Sequence, residues 1–338
     1  MKIQNLVKLS ALTVLLFSTA AQAIQVTVSV PPLAGLLKPL LDESDDIVVL
    51  LKPGVSPHGF QLKPSHLKFI QSSDAVFSIG TPVDGWIEKT LTRVQSPVVR
   101  MSELDGLQTL PIRNGGLWLQ SLEAEENVSE HEHEHSHEEQ GYDHDAKIQF
   151  EKKKSKWGYD GHIWLSMQNA RLFVEASAEL IKELKPEQVE SVEQKKQAWL
   201  AKLAQLDSDL KTKLAPVKDK PFVVLHDAYQ YFETHYQLNG VGSVRLNPEI
   251  APSLKRVQQL RDSISESKIA CIFKEPQFPE KRVVAVVRGL DVHVGSLDPM
   301  GSFLAGSDSK LVKDGYLPYD VFLTNLADSF ARCLVQAK

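Results

Sequence analysis

The sequence predicts an α/β fold of two lobes, each a mostly parallel sheet flanked by helices, joined by one long rigid helix. Three observations carry this. Short β-branched runs alternate with helix-length amphipathic stretches, that βαβ rhythm occurs twice, and one long helical segment free of internal Gly or Pro separates the two occurrences. At 338 residues the chain also exceeds one comfortable hydrophobic core, so two domains of ordinary size are expected.

At the N-terminus, Lys2 and Lys8 flank the start of an apolar stretch from Leu9 to Phe17, and small residues end in Ala21-Gln22-Ala23. This is the layout of a cleavable signal peptide over residues 1–23, with Ile24 as the first mature residue; a buried N-terminal helix is the alternative. No later stretch reaches the about twenty apolar residues of a membrane span, and no cysteine near the cleavage site could carry a lipid anchor. A soluble, exported protein is expected.

The first lobe is assigned to residues 24–185. Ile24 to Val30, Ile47 to Leu51 and Ala75 to Ile79 read as strands, with helical patterns near Leu33 to Leu41 and Ser65 to Ser72. The linking helix covers residues 186–214. Val192, Trp199 and Leu206 recur every seven residues, Val189, Leu203 and Leu210 fill the neighbouring row, Pro186 suits a first turn and Pro216 stops the pattern. A coiled-coil dimer is the alternative, weakened by Lys196 interrupting one row. The second lobe, residues 215–338, repeats the rhythm with strands at Phe222 to Leu225, Ile269 to Phe273 and Val292 to Gly295, and helices at Ala251 to Ser265 and Pro279 to Leu290.

Charge is unevenly placed. Residues 123–145 hold ten acids and no Lys or Arg, so the remainder of a chain of net charge −5 is basic by five, without the basic stripe of a nucleic-acid binder. Five of the eleven histidines, His131, His133, His135, His137 and His144, fall within this acidic segment. Imidazoles flanked by carboxylates bind borderline divalent metals without needing a fold, so these are candidate secondary weak sites; an inert solubilising insertion is the bland reading. The two cysteines, Cys271 and Cys333, would close as a disulfide in an oxidising compartment, two separate buried thiols being the alternative.

Three of the remaining histidines stand in suggestive places. His58 lies in a Pro/Gly-rich loop past the strand that ends at Leu51, His226 directly follows the strand FVVL, and His162 precedes a helix with Ser166 as cap. Ligands in open α/β sheets bind beyond the carboxyl ends of strands, where His58, His226 and also Asp298 project. Three imidazoles and one carboxylate converging from two lobes would make a tetrahedral, zinc-like set, although no short HxxxH or CxxC spacing marks it, and scattered loop histidines are the alternative. His66, His235 and His293 read as surface or hydrogen-bonding residues. Asp227 and Tyr229 read as groups orienting a ligand imidazole, or Asp227 as a helix cap. Trp86, Trp118, Trp157, Trp164 and Trp199 read as packing.

The phrases GVSPHGFQLKPS, DGHIWLS, HDAYQYFE, CIFKEPQF and GSLDPMG, in that order, closely resemble the motifs of the periplasmic solute-binding proteins that serve metal ABC importers, the zinc-binding branch in particular. The resemblance runs from Ile24 to Lys338 and takes in the histidine-rich insertion and the cysteine pair. It implies two lobes with a metal cleft between them, a periplasmic monomer with Zn2+ as the transported ligand, an inner-membrane zinc ABC permease as partner, zinc-donating periplasmic proteins as further partners, and ligands at His58, His162 and His226. Manganese-binding relatives usually carry a carboxylate where His226 stands, and imidazole suits zinc. Some zinc members have Glu just before the first ligand; Pro57 stands there, so the fourth position falls to Asp298, a water or a loop histidine.

An enzyme with three histidines and a water on zinc is the competing class, but HExxH occurs only within the repetitive acidic run from His131 to His137, GxSxG is absent and no general base is evident, so no enzyme activity is expected. A metal-binding adhesin of the same fold is the third reading.

Overall fold

A computed structural model of the chain describes residues 22–118, 158–245, 252–302 and 315–336. Most of the segment expected to be an export signal, the five histidines from His131 to His144 and Trp157 lie outside these residues.

Each half holds four parallel strands. In the first, β1 (Gln25–Val28) lies between β2 (Asp46–Val49) and β3 (Ala75–Ser78), with β4 (Val98–Arg100) beyond, giving the order β2-β1-β3-β4. In register, Val26 stands between Ile47 and Ala75. The second half repeats the order with β5 (Phe222–His226), β6 (Gly240–Arg245), β7 (Cys271–Lys274) and β8 (His293–Ser296) as β6-β5-β7-β8. In both sheets the chain moves first to one side of the starting strand and then to the other. The strand order therefore reverses beside β1 and beside β5, and a crevice opens there at the carboxyl ends.

Helices cover both faces of the central strands, so β3 and β5 are buried along their whole length rather than on alternate residues. Along β5, Phe222 and Val224 point into the main core, while Val223 and Leu225 point into a second cluster with Leu260 and Ile264 of α7 (Leu254–Glu266) and Val283 and Val286 of α8 (Lys281–Val287). In the first sheet, Phe77 faces the main core and Val76 the smaller cluster with Ile70 of α2 (Pro64–Ser72) and Leu91 of α3 (Glu88–Leu91). The main core also takes in α1 (Pro31–Leu37), α4 (Met167–Leu184), α6 (Gln230–Tyr236) and α9 (Tyr319–Gln336), and it is continuous across the two halves.

The long helix, α5 (Val189–Leu214), makes that continuity possible. Over 26 residues it buries Val192, Trp199, Leu203, Leu206, Leu210 and Leu214. Its tryptophan donates from Nε1 to the carbonyl of Leu36 in α1 at 3.1 Å, and Lys213 near its other end pairs with Asp328 of α9. The sequence places the start at Pro186; the α-helix proper begins three residues later, after a 3-10 turn at Pro186–Gln188, and Val189 is 44% exposed there. At the first-half end, Lys185 is buried against Asp42 and Asp45, with Nζ–O distances of 2.7 and 2.8 Å.

A second strand of chain also crosses between the halves. Leu117 bridges Gly242 on the β6 edge, and the Leu117 carbonyl accepts from Ser243 N at 3.2 Å and from the Arg256 guanidinium at 2.6 Å. Cys271 of β7 and Cys333 of α9 form a disulfide with their Cα atoms 6.1 Å apart, pinning the C-terminal helix to the second sheet.

Candidate metal centre

The three histidines converge from three separate elements. His226 is the last residue of β5, so its ring projects past the end of the sheet at the reversal point. His162 caps a 3-10 turn at Ile163–Leu165 that leads into α4, whose own cap, Ser166 Oγ, accepts from Asn169 N at 3.3 Å. Its neighbour must be glycine, because a Cβ on Gly161 would stand 2.9 Å from Thr81 Oγ1 and 3.0 Å from Val83 Cγ2. His58 comes from the loop between β2 and α2, which Phe60 anchors by stacking against His66 and packing edge-on to Trp86.

One ring nitrogen of each histidine lies within 4.8 Å of the other two, and the ring centroids are 5.3 to 5.6 Å apart. His162 and His226 are buried and His58 is exposed at the mouth. Among the described residues this is the one grouping of His, Cys, Asp or Glu able to hold an ion.

Two buried carboxylates orient the two buried rings. Asp160 Oδ1 lies 2.7 Å from His162 Nδ1 and also accepts from the His162 backbone N–H at 3.0 Å. Glu275 Oε1 lies 2.7 Å from His226 Nδ1, and Glu275 follows directly on β7, the strand beside β5. Such a contact assigns the proton to Nδ1 and leaves the Nε2 lone pair directed into the cleft. In both rings Nε2 is buried with no hydrogen-bond partner, an expensive state for a polar atom that a bound cation would relieve.

Charge differs across the three rings. His58 stands among protein atoms and beside His226 and His162, and desolvation followed by those two neighbours holds its pKa well below the imidazole value of 6.5. For His226 burial acts in the same downward direction, but the charge and hydrogen bond of Glu275, helped by Asp227 and Asp160, outweigh it and raise the pKa. Tyr229, fully buried, is kept neutral by desolvation and by the charges of Glu275 and Asp298.

Asp298 is not part of the three-histidine grouping. Its Oδ1 accepts from Gln277 Nε2 at 2.5 Å and from Met300 N at 3.0 Å, and its Oδ2 accepts from Ser302 N at 2.6 Å, so it fastens the turn after β8. Asp227 turns away from His226 and holds the Arg113 guanidinium together with Glu233. His66 accepts from Lys63 N at 3.1 Å at the start of α2, His235 pairs with Asp207 of α5 at 2.6 Å, and His293 lies exposed in β8. Trp164 and Trp199 are buried, Trp164 donating to the Pro299 carbonyl at 2.9 Å. Sequence reasoning missed Asp160 and Glu275. The available signals were an acid two residues before a ligand and an acid directly after a strand.

The family model described as "Zinc-uptake complex component A periplasmic", ZnuA, matches residues 26–318. The chain belongs to the ZnuA family. The high-affinity zinc uptake system protein ZnuA of Brucella abortus is 35% identical over 324 residues, covering 94% of this chain and 93% of the relative. Its namesake from Yersinia pestis is 32% identical over 319 residues, covering 94% and 93%. Among solved structures, the periplasmic zinc-binding protein TroA of Treponema pallidum has a TM-score of 0.69 at 22% identity, covering 93% of this chain and 99% of that one, and shares the two-lobed architecture.

Membership of the ZnuA family fits the donor set. Imidazole nitrogens are ligands of choice for zinc, whereas manganese favours hard oxygen donors, and here all three grouped donors are imidazoles.

Proposed function

We propose that the protein captures zinc outside the inner membrane through His58, His162 and His226 and hands it to an inner-membrane ABC permease. The observation that supports this best is the pair of partnerless, buried Nε2 atoms on rings whose Nδ1 atoms are held by Asp160 and Glu275. A histidine whose far nitrogen is fastened to a carboxylate is a pre-oriented and more basic ligand, and little entropy remains to be lost when the ion arrives.

Capture at His226 releases a proton, because a ligand imidazole must be neutral and Glu275 favours its protonated form. Release begins at His58 in this reading. That residue sits on a loop, and no carboxylate among the described residues holds its ring, so it leaves the ion at the least cost. Residues 1–23 act as the export signal and the mature protein works in the periplasm as a monomer, with lobes at 24–185 and 215–338 and the linking helix at 186–214. Asp160 and Glu275 are each committed to an imidazole, which leaves neither as the general base a hydrolytic zinc site requires.

His131, His133, His135, His137 and His144 supply weaker sites that collect zinc from solution or from zinc-donating periplasmic proteins, since a low-complexity run of imidazoles and carboxylates suits borderline divalent metals. Chelator-competition titration tests the reading. One tight ion per chain should survive deletion of residues 130–145 and be lost in His58→Ala, His162→Ala and His226→Ala. A tight phase that disappears with the deleted segment would move the primary site there.

A further inference from the structure

We infer that Gln277 completes this site by accepting a hydrogen bond from a water held on the ion as its fourth ligand, and that Asp298 acts through Gln277 rather than on the ion. The inference rests on the proposed zinc site.

Gln277 lines the same cleft as His58, His162, His226, Glu275 and Met300. Its amide orientation is fixed by chemistry, because the group 2.5 Å from Asp298 Oδ1 faces a carboxylate, which accepts and does not donate, and so must be the NH2. The carbonyl oxygen is then the free end, and Gln277 Oε1 is buried with no hydrogen-bond partner. A buried amide oxygen on a residue lining a cleft of imidazoles needs a donor, and an imidazole whose Nδ1 is on a carboxylate and whose Nε2 is on the ion has none to offer. A water on a divalent cation does, since the ion polarises its hydrogens outward.

Asp298 is committed elsewhere. Both its oxygens take backbone N–H groups, from Met300 at 3.0 Å and Ser302 at 2.6 Å, so the turn after β8 holds the carboxylate and the carboxylate holds the Gln277 amide. Pro57 has no side-chain donor atom with which to occupy the fourth position. Zinc sites with three protein ligands characteristically keep a water there, and a neutral carboxamide is not among the usual zinc ligands. Three neutral imidazoles and a water held by a neutral acceptor leave the cation's charge uncompensated in its immediate shell. That suits a cargo that must be released.

The test uses the full chain with zinc, and with cobalt(II) as a coloured substitute whose visible spectrum reports coordination. In the wild type, azide displaces the water and changes the cobalt spectrum. Gln277→Leu binds one zinc per chain but more weakly, by about tenfold to a hundredfold. Asp298→Ala weakens zinc in the wild-type background and adds little to Gln277→Leu, as expected of a residue that acts through another. Wild-type affinity in Gln277→Leu, or a wild-type cobalt spectrum that azide leaves unchanged, overturns the inference; the azide arm holds even if the variant fails to fold. Retained tight binding in the three histidine variants would instead overturn the site itself.

Discussion

Oε1 of Glu275 lies 2.7 Å from Nδ1 of His226, and the two residues stand at the carboxyl ends of neighbouring parallel strands. The sheet thus delivers a ligand and the group that aims it from adjacent strands at the point where strand order reverses. Asp160 serves His162 in the same way from only two residues upstream, a local turn doing what the sheet does for His226.

Replacing Glu275 by Gln keeps a hydrogen-bond acceptor but removes the charge. Zinc affinity at mildly alkaline pH should fall by about tenfold to a hundredfold. The pH profile should also move. Protons compete with zinc below the pKa of a ligand imidazole, and the His226 pKa is raised above 6.5, so in the wild type affinity begins to fall on the alkaline side of that value. Without the Glu275 charge the fall shifts to lower pH. In the metal-free chain the sign is opposite: the raised pKa stabilises the fold below 6.5, and the contribution is lost as pH rises through the folded-state value. Competition titrations across neutral pH read both effects, and identical profiles for variant and wild type would refute the assignment.

Arg113 should prove a stability residue. Its guanidinium donates to Asp227 at 3.0 and 3.1 Å and to Glu233 at 2.6 Å, and lies 3.6 Å over the Trp118 ring. Glu233 is 3% exposed and Asp227 11%, so Arg113→Met strands two nearly buried charges and should cost about 3–5 kcal/mol. Adding Glu233→Gln should recover part of that. Denaturant unfolding of the metal-free protein measures both, and an unchanged midpoint in Arg113→Met would show the charges are solvated after all.

Much of this was legible because burial on both faces leaves a loud signal. Ile24 to Val30 and Ala75 to Ile79 contain β1 and β3, Ile47 to Leu51 overlaps β2 from its second residue on, and the segment 186–214 ends where α5 ends. β4 was silent because three half-buried residues are too short to show a period, and β6 because glycines at 240 and 242 dilute its pattern. For the site, strand-end position brought out His226, while Asp160 and Glu275 stayed hidden. A carboxylate that orients a ligand is chosen by contact across elements, and no spacing in one chain records that. Asp227, next to His226, drew attention by adjacency and instead faces Arg113, since successive residues after a strand point in different directions.

The disulfide should be intact in the unreduced protein, with no alkylatable thiol. It closes a loop across a sequence separation of 62, for which chain entropy predicts a contribution of about 4 kcal/mol. Because β7 runs from Cys271 straight to Glu275, reduction should weaken zinc binding as well as lower the unfolding midpoint. Intact mass with and without reduction, followed by melting curves, checks this. Two reactive thiols before reduction would count against the bridge.

The chain leaves the second sheet just past Leu117 and returns at Tyr159, which is bridged to Pro111. Six residues of extended chain separate Pro111 from Leu117, so these anchors lie within about 20 Å of one another whatever runs between them. The anchoring contacts at Leu117 and Tyr159 lie on either side of residues 119–157, so a change in the length of chain between them leaves those contacts in place. An engineer can splice a reporter peptide between these anchors without touching a contact that holds either lobe.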